Sequence, residues 1–394
     1  MTRKRTLTFA ILSIALVCQI NTIASVMLAD ISKAFPSASN VAIQYVMQSG
    51  MIGAFVISFL MSVFTAHFNR KPMILMGLGA IFLGGLLPLV YHGSIWFLDV
   101  CGFITGAGQG FLMPLLGALI LENYEGPERE RMLGLNTTFI TGGSALFLVL
   151  AGPICESGWT HVYFLYFAAL PVMVIAQMFL AKEGKKEKAA EAEEKKDSAK
   201  IPVKGWIQCA LVVLMGIGYT AFPLNLSFLV EAKGLGSATT VGIGMTMITV
   251  ISALIGLVFP QIIRVSRLYI STVAAVFGLA ATLIIINAGS MGIVYLGTAL
   301  AGIYFGINTA SPGYYIGRIC SQKQYGPTFS MAMSCNFMGI ILSPIILNWI
   351  TGMWGGDTRI PVNSFITGSG VFALVLVLQI LWNTYLKKTL PAEA

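Results

Sequence analysis

Apolar residues run along this chain in long stretches and do not alternate with polar ones. Twelve such stretches lie at approximately 7–29, 41–65, 72–91, 95–121, 132–154 and 162–181, then 206–230, 241–263, 268–288, 291–317, 328–350 and 364–386. Each is close to the about 17–25 residues that a helix needs to cross a hydrocarbon core. The breaks are short and carry Gly, Pro, Asn or charge, as turns between helices do. A membrane barrel would read instead as roughly ten-residue segments of alternating polarity. The pattern predicts an all-α integral membrane protein with twelve transmembrane helices.

The twelve stretches fall into two matching sets. Lys33-Ala-Phe-Pro-Ser37-Ala38-Ser-Asn-Val41-Ala-Ile43 returns as Lys233-Gly-Leu-Gly-Ser237-Ala238-Thr-Thr-Val241-Gly-Ile243. At the same offset Gly102 and Gly106 meet Gly302 and Gly306, Gly126-Pro127 meets Gly326-Pro327, and Asn136 meets Asn336. A constant offset over so long a window points to duplicated architecture, here two pseudo-symmetric six-helix bundles. The expected division is a bundle over 1–181, a charged linker over 182–204, and a second bundle over 205–394. The linker holds eight lysines and six acids, so it has nothing to bury and belongs in water. Within it, Glu191 and Lys195 stand at an i,i+4 spacing that supports a transient helix.

Composition agrees with the pattern. The chain is 56% hydrophobic and only 10% charged, against about 25% charged in soluble domains. Placing the N-terminus in the cytoplasm puts all but Lys33, Lys233 and Arg359 of the 24 lysines and arginines on the inner side, the bias that orients membrane proteins. The net charge of +8 is then an orientation signal, with no basic and aromatic pattern for nucleic acid. The first stretch follows Arg3-Lys4-Arg5 and is longer than a signal core, so a retained first helix is expected. The six cysteines stand singly, without a C-x-x-C pair, and read as small packing residues.

The fourth stretch, Phe103-Ile-Thr-Gly-Ala-Gly-Gln-Gly-Phe-Leu-Met-Pro114, the loop Glu128-Arg129-Glu130-Arg131-Met-Leu-Gly, and Gly158-Trp159-Thr-His-Val-Tyr-Phe together resemble the major facilitator superfamily. The resemblance covers nearly the whole chain. It implies two six-helix halves around a central cavity lined by the first, fourth, seventh and tenth helices, and a secondary transporter working by alternating access. It also makes Arg70 and Lys71 the remnant of the family's cytoplasmic gate loop. Three family motifs are changed. Ala66 replaces the acidic residue of that loop, Gly102 stands where an Arg is frequent, and Glu156 and Ser157 replace the glycines after Gly152-Pro153.

Polar residues on these helices and on the second, fifth and eleventh are the candidates for the substrate pathway. They are Gln19 and Asn21, Gln44 and Gln48, Asp99, Gln109, Asn136 and Thr137, then Tyr219, Asn225, Asn308, Thr309, Tyr314 and Asn336. An ionisable group within a span costs from about 2.5–3.5 kcal/mol upward, which makes Asp99 the candidate for proton coupling. It shares one helical face with Gly102, Gly106, Gln109 and Met113, and a carboxylate hydrated at the outer rim is the other reading of it. No basic residue lies at mid-membrane, so a polyanion, which would want an Arg clamp, is disfavoured.

These residues lead to a secondary active transporter of a small neutral or singly charged organic solute. It is expected as a monomer in the plasma membrane with both termini cytoplasmic. Its partners would be the solute, the bilayer and a coupling proton, with no nucleic acid, cofactor or metal. Proton-coupled efflux of hydrophobic, drug-like compounds is the alternative within the class. A non-transporting receptor on the same scaffold would want a sensing domain larger than the linker. An enzyme is not expected, since no catalytic arrangement or phosphate-binding loop occurs.

Overall fold

A computed structural model of the protein describes residues 2–180 and 201–389. The interior of the linker, with Glu191 and Lys195, lies outside the described residues. All elements among the described residues are helical. In the first part of the chain they are α1 (Thr2–Val17), α2 (Ala24–Ala34), α3 (Asn40–His67), α4 (Arg70–Val90), α5 (Ile95–Asn123), α6 (Gly126–Glu156) and α7 (Ala169–Phe179). The second part has α8 (Val203–Ala232), α9 (Ala238–Ser266), α10 (Ile270–Ile286), α11 (Met291–Ile319), α12 (Gln322–Met353) and α13 (Pro361–Thr389). Short 3₁₀ segments cover Ile20–Ile23, Trp159–Ala168 and Arg267–Tyr269.

Among the described residues, eleven helical stretches are long and apolar enough to cross a membrane. One of them, Ala238–Ile286, has 49 residues and at 1.5 Å per residue would be about 74 Å long. That is more than twice a hydrocarbon core of about 30 Å. It comprises two crossings, α9 and α10, joined where Arg267 takes a φ of 46°. This left-handed geometry breaks a helix and is uncommon for a residue with a side chain. The expected twelve spans are therefore present. Several helices outlast their apolar runs: α6 starts at Gly126 and α12 at Gln322, because polar first turns continue the helix past the membrane.

Local signals fix the ends. Ser39 caps α3 by accepting the Ala42 N–H at 3.2 Å, and Ser321 and Gln324 form a reciprocal capping box on α12. Helix α8 stops at Gly234, whose φ of 61° lets the Leu235 N–H return to the Val230 carbonyl at 3.0 Å.

The chain forms two compact units. One comprises Met1–Ala192 together with Ser237–Thr246, and the other Glu193–Gly236 with Met247–Ala394. Within the first, α5 is central and packs most extensively on α3 and α4. Within the second, α8 packs on α12 and α13, and α10 on α11 and α13. The sequence echo has a packing counterpart. Gly102 and Gly106 of α5 lie against Val46 and Gly50 of α3, and Gly302 and Gly306 of α11 lie against Ile248, Ser252 and Ile255 of α9. Small residues at such crossings let backbones approach, which lipid alone does not drive.

Charged side chains collect at helix ends. Arg70 pairs with Glu122 and Lys4 with Glu128. Arg129 donates to the carbonyls of Tyr124 at 2.9 Å and Leu121 at 3.1 Å. Lys71 donates to the Gln177 and Leu180 carbonyls at the end of α7, the latter at 2.8 Å. In the second unit Lys233 does the same for Ile286 at 2.6 Å and Ala288 at 3.0 Å. Cations placed there satisfy carbonyls that have no partner within the helix.

Candidate functional site

The first membrane crossing is not one continuous α-helix. Between α1 and α2 the chain tightens into the 3₁₀ turn Ile20–Ile23. There the Gln19 carbonyl accepts both the N–H and the hydroxyl of Thr22, at 3.2 and 3.0 Å. A 3₁₀ interruption within a helix changes the direction in which its side chains point. Here it turns Asn21 into the first unit. The Asn21 amide donates to Gln109 Oε1 of α5 at 3.4 Å and accepts from the Tyr166 hydroxyl at 3.3 Å. The Thr22 hydroxyl meets that of Ser144 on α6 at 2.9 Å.

Tyr166 belongs to the second such segment, Trp159–Ala168, ten residues of 3₁₀ helix. Runs beyond three or four residues are uncommon, and residues three apart eclipse one another. That geometry places Tyr163 and Tyr166 on one face, ring over ring, with centroids 5.9 Å apart and planes 20° from parallel.

The two 3₁₀ segments border one recess. It is lined by Asn21, Ala24 and Met27, by Val46, Met47 and Gly50 of α3, by Gly84 of α4, by Leu98, Gly102 and Thr105 of α5, and by Tyr163 and Tyr166. Its void, counting the open side, is about 310 Å³. Amide, hydroxyl and aromatic groups converge there, and the lining holds no basic side chain.

Asp99 stands one turn from Gly102 on α5 and is half-buried. Its Oδ1 is buried without a hydrogen-bond partner. Gln44 and Gln48 are both buried on α3, at 2% and 1% exposure. Of the first unit's predicted site residues, the structure brings Asn21 and Gln109 into direct contact, with Gln19 forming the turn that positions Asn21. Asn136 is half-buried on α6 with an unpartnered Oδ1. Thr137 is exposed and bonds back to the Leu133 carbonyl of its own helix at 3.1 Å. Arg70 and Lys71 hold helix ends of this unit, as described above.

In the second unit, Tyr219 of α8 stacks on Phe305 of α11 with centroids 4.1 Å apart and planes 14° from parallel. Asn308, also on α11, is 3% exposed and its Oδ1 has no partner. Asn225 is buried and donates to the Ala221 carbonyl at 3.2 Å. Thr309 is exposed and bonded to the Gly306 carbonyl. Tyr314 is taken up by Arg318, which donates to its hydroxyl at 3.0 Å and lies over its ring. Asn336 packs against Gly216. These residues are distributed along α8, α11 and α12 and do not form one cluster.

Tyr163, Tyr166, Thr105 and Ser144 were not among the expected site residues. The available signal was the i,i+3 spacing of the two tyrosines. It has meaning only once the segment is known to be 3₁₀.

Comparison with known proteins places this geometry. The sequence model of the Major Facilitator Superfamily matches residues 9–312. A search of curated protein sequences gave no significant match. Solved structures match over nearly the full length at low identity. The nucleoside transporter NupG is 13% identical with a TM-score of 0.74, covering 98% of this chain and 100% of its own. A bacterial homologue of the human lysosomal transporter Spinster, in an inward-facing and unoccupied conformation, is 12% identical with a TM-score of 0.77, covering 100% and 99%. The human organic anion transporter MFSD10 is 15% identical with a TM-score of 0.64, covering 95% and 99%. At these identities the structures share the fold, and the sequence model carries the family: this chain is a multi-pass membrane protein that belongs to the major facilitator superfamily of secondary transporters.

Proposed function

We propose that the protein moves a small neutral or singly charged organic solute across the plasma membrane by alternating access between an N-terminal and a C-terminal six-helix bundle. The observation that carries this reading is the broken first span. It presents Asn21 to Gln109 and Tyr166 at a recess lined by amide, hydroxyl and aromatic groups, with no basic side chain. Such a lining suits hydrogen bonding and aromatic packing of an uncharged or weakly charged molecule. A phosphate or di-acid would call for bidentate arginine. Discontinuous helices at substrate sites are a recurring device in transporters.

Asp99 is the proposed coupling group. A carboxylate oxygen buried in a span without a partner is costly as an anion, and a proton removes the charge. The chain acts as a monomer, and both termini lie in the cytoplasm, an orientation that its lysine and arginine distribution supports. The test is counterflow in proteoliposomes holding the purified protein, with a panel of labelled neutral, monoanionic and monocationic solutes under imposed proton, sodium and potassium gradients. Saturable exchange of at least one neutral or singly charged solute is expected. Movement of none of them under any gradient would overturn the reading.

A further inference from the structure

Three of the six cysteines, isolated in sequence, meet in the second unit. Cys209 of α8 is fully buried with Ile316 and Ala332, and Cys320 and Cys335 pack against that cluster with partial exposure. Cys335 joins Cys209 at this cluster through the packing of α12 on α8, and Cys320 Sγ points at the Thr328 hydroxyl at 3.6 Å. All six thiols are free.

The packing of α8 on α12 explains why this pair meets. The two helices run side by side in the same direction. Gly205 lies against Thr328, Gly216 against Asn336, and Val213 against Gly339. Along that seam Cys209 falls beside Ala332 and Cys335. Glycines on both helices hold the backbones close, which is what a disulfide requires, with Cα atoms about 4.4–6.8 Å apart. Among the described residues no group of three or more His, Cys, Asp or Glu is arranged to hold a metal ion, so the trio is not a metal centre.

We propose that Cys209 and Cys335 form a reversible dithiol–disulfide modification site, oxidised by apolar organic hydroperoxides that partition into the bilayer. The surroundings select the oxidant class: Ile316, Ala332, Phe329 and Met331 form an apolar shell that excludes charged oxidants. The partly exposed Cys335 reacts first. Its sulfur takes the terminal hydroxyl of the hydroperoxide as the O–O bond breaks. This gives a sulfenic acid, while the thiol proton leaves with the alkoxide as an alcohol. The Cys209 sulfur then attacks the sulfenic sulfur, and hydroxide departs with the Cys209 proton as water. Two thiols lose two electrons and two protons, one peroxide is reduced, and one alcohol and one water are released. The product ties α8 to α12 at a seam already close-packed, and a thiol reductant reverses it.

The experiment treats the full-length protein in lipid vesicles with cumene hydroperoxide, alkylates the remaining thiols and maps peptides by mass spectrometry. A Cys209–Cys335 linked peptide is expected as the main product. It should disappear with dithiothreitol, while Cys18, Cys101 and Cys155 stay alkylated. Cys209→Ala and Cys335→Ala, each checked as monodisperse reduced protein, should each abolish the link. At equal concentration, aqueous hydrogen peroxide should form it more slowly. Six alkylated thiols after treatment, a link through Cys320, or faster reaction with hydrogen peroxide would overturn the proposal.

Discussion

Gly106 of α5 and Gly50 of α3 touch backbone to backbone: a methyl group on Gly106 would occupy the place of the Gly50 carbonyl. Gly106→Ala therefore has to push two helices of the first unit apart. Overpacking of this kind costs about 1–3 kcal/mol. The expected outcome is a lowered unfolding temperature in detergent. Gly79→Ala, on α4 with open space around it, should leave stability unchanged or slightly raised, since alanine favours a helix over glycine. Equal behaviour of the two variants would refute the close contact.

Asn21 holds three helical segments through one amide. Asn21→Ala removes the bonds to Gln109 and Tyr166, and polar contacts of this kind within membranes contribute about 0.6–2 kcal/mol. A loss of stability of about 1 kcal/mol is expected in reversible unfolding. Thr137→Ala, which removes only a bond back to its own helix, should change stability by less than about 0.5 kcal/mol.

For Asp99, the expected result of Asp99→Asn is loss of uptake driven by a pH gradient, with solute exchange in the absence of a gradient retained. The amide keeps the shape of the carboxyl group and cannot take up a proton. Unchanged gradient-driven uptake would remove Asp99 from coupling.

Glu156 closes α6 and reaches the start of α9, where its carboxylate accepts the Thr239 N–H at 3.3 Å. The backbones close in beside it: a Cβ on Gly152 would come within 2.6 Å of Thr239 Cα, and one on Gly242 within 2.6 Å of the Leu148 carbonyl. An anion at a helix start satisfies free N–H groups and favours the helix dipole. Glu156→Ala should speed amide hydrogen exchange at Thr239 and Thr240, read by mass spectrometry, with exchange in α11 unchanged. Glu156 stands where the family resemblance leads one to expect a glycine, so this cap is a property of this chain.

The spans were legible because lipid imposes a strict requirement: each crossing must be long, apolar and internally hydrogen-bonded. The repeat was legible because Gly102 and Gly302 do the same packing work in each half. The site was legible only in part. Hydropathy marks Asn21 and Gln109 as polar in apolar surroundings, but it cannot tell a 3₁₀ turn from an α-turn. It therefore gave no reason to bring Asn21 to Tyr166. The break at Arg267 was marked by its charge and that of Arg264 between two apolar stretches, but the left-handed φ that makes the corner carries no glycine or proline signal. The meeting of Cys209 and Cys335 depends on which helices are neighbours and in which register, and no short-range pattern records that.

The join between α9 and α10 has a mechanical meaning. Three residues, Arg267–Tyr269, span at most about 10 Å even when fully extended, and here they are coiled. Uncoiling such a corner yields only a few ångströms. Any larger shift of α9 along its own axis has to carry the start of α10 with it, so the two helices are joined by a short tether and not by a free cord.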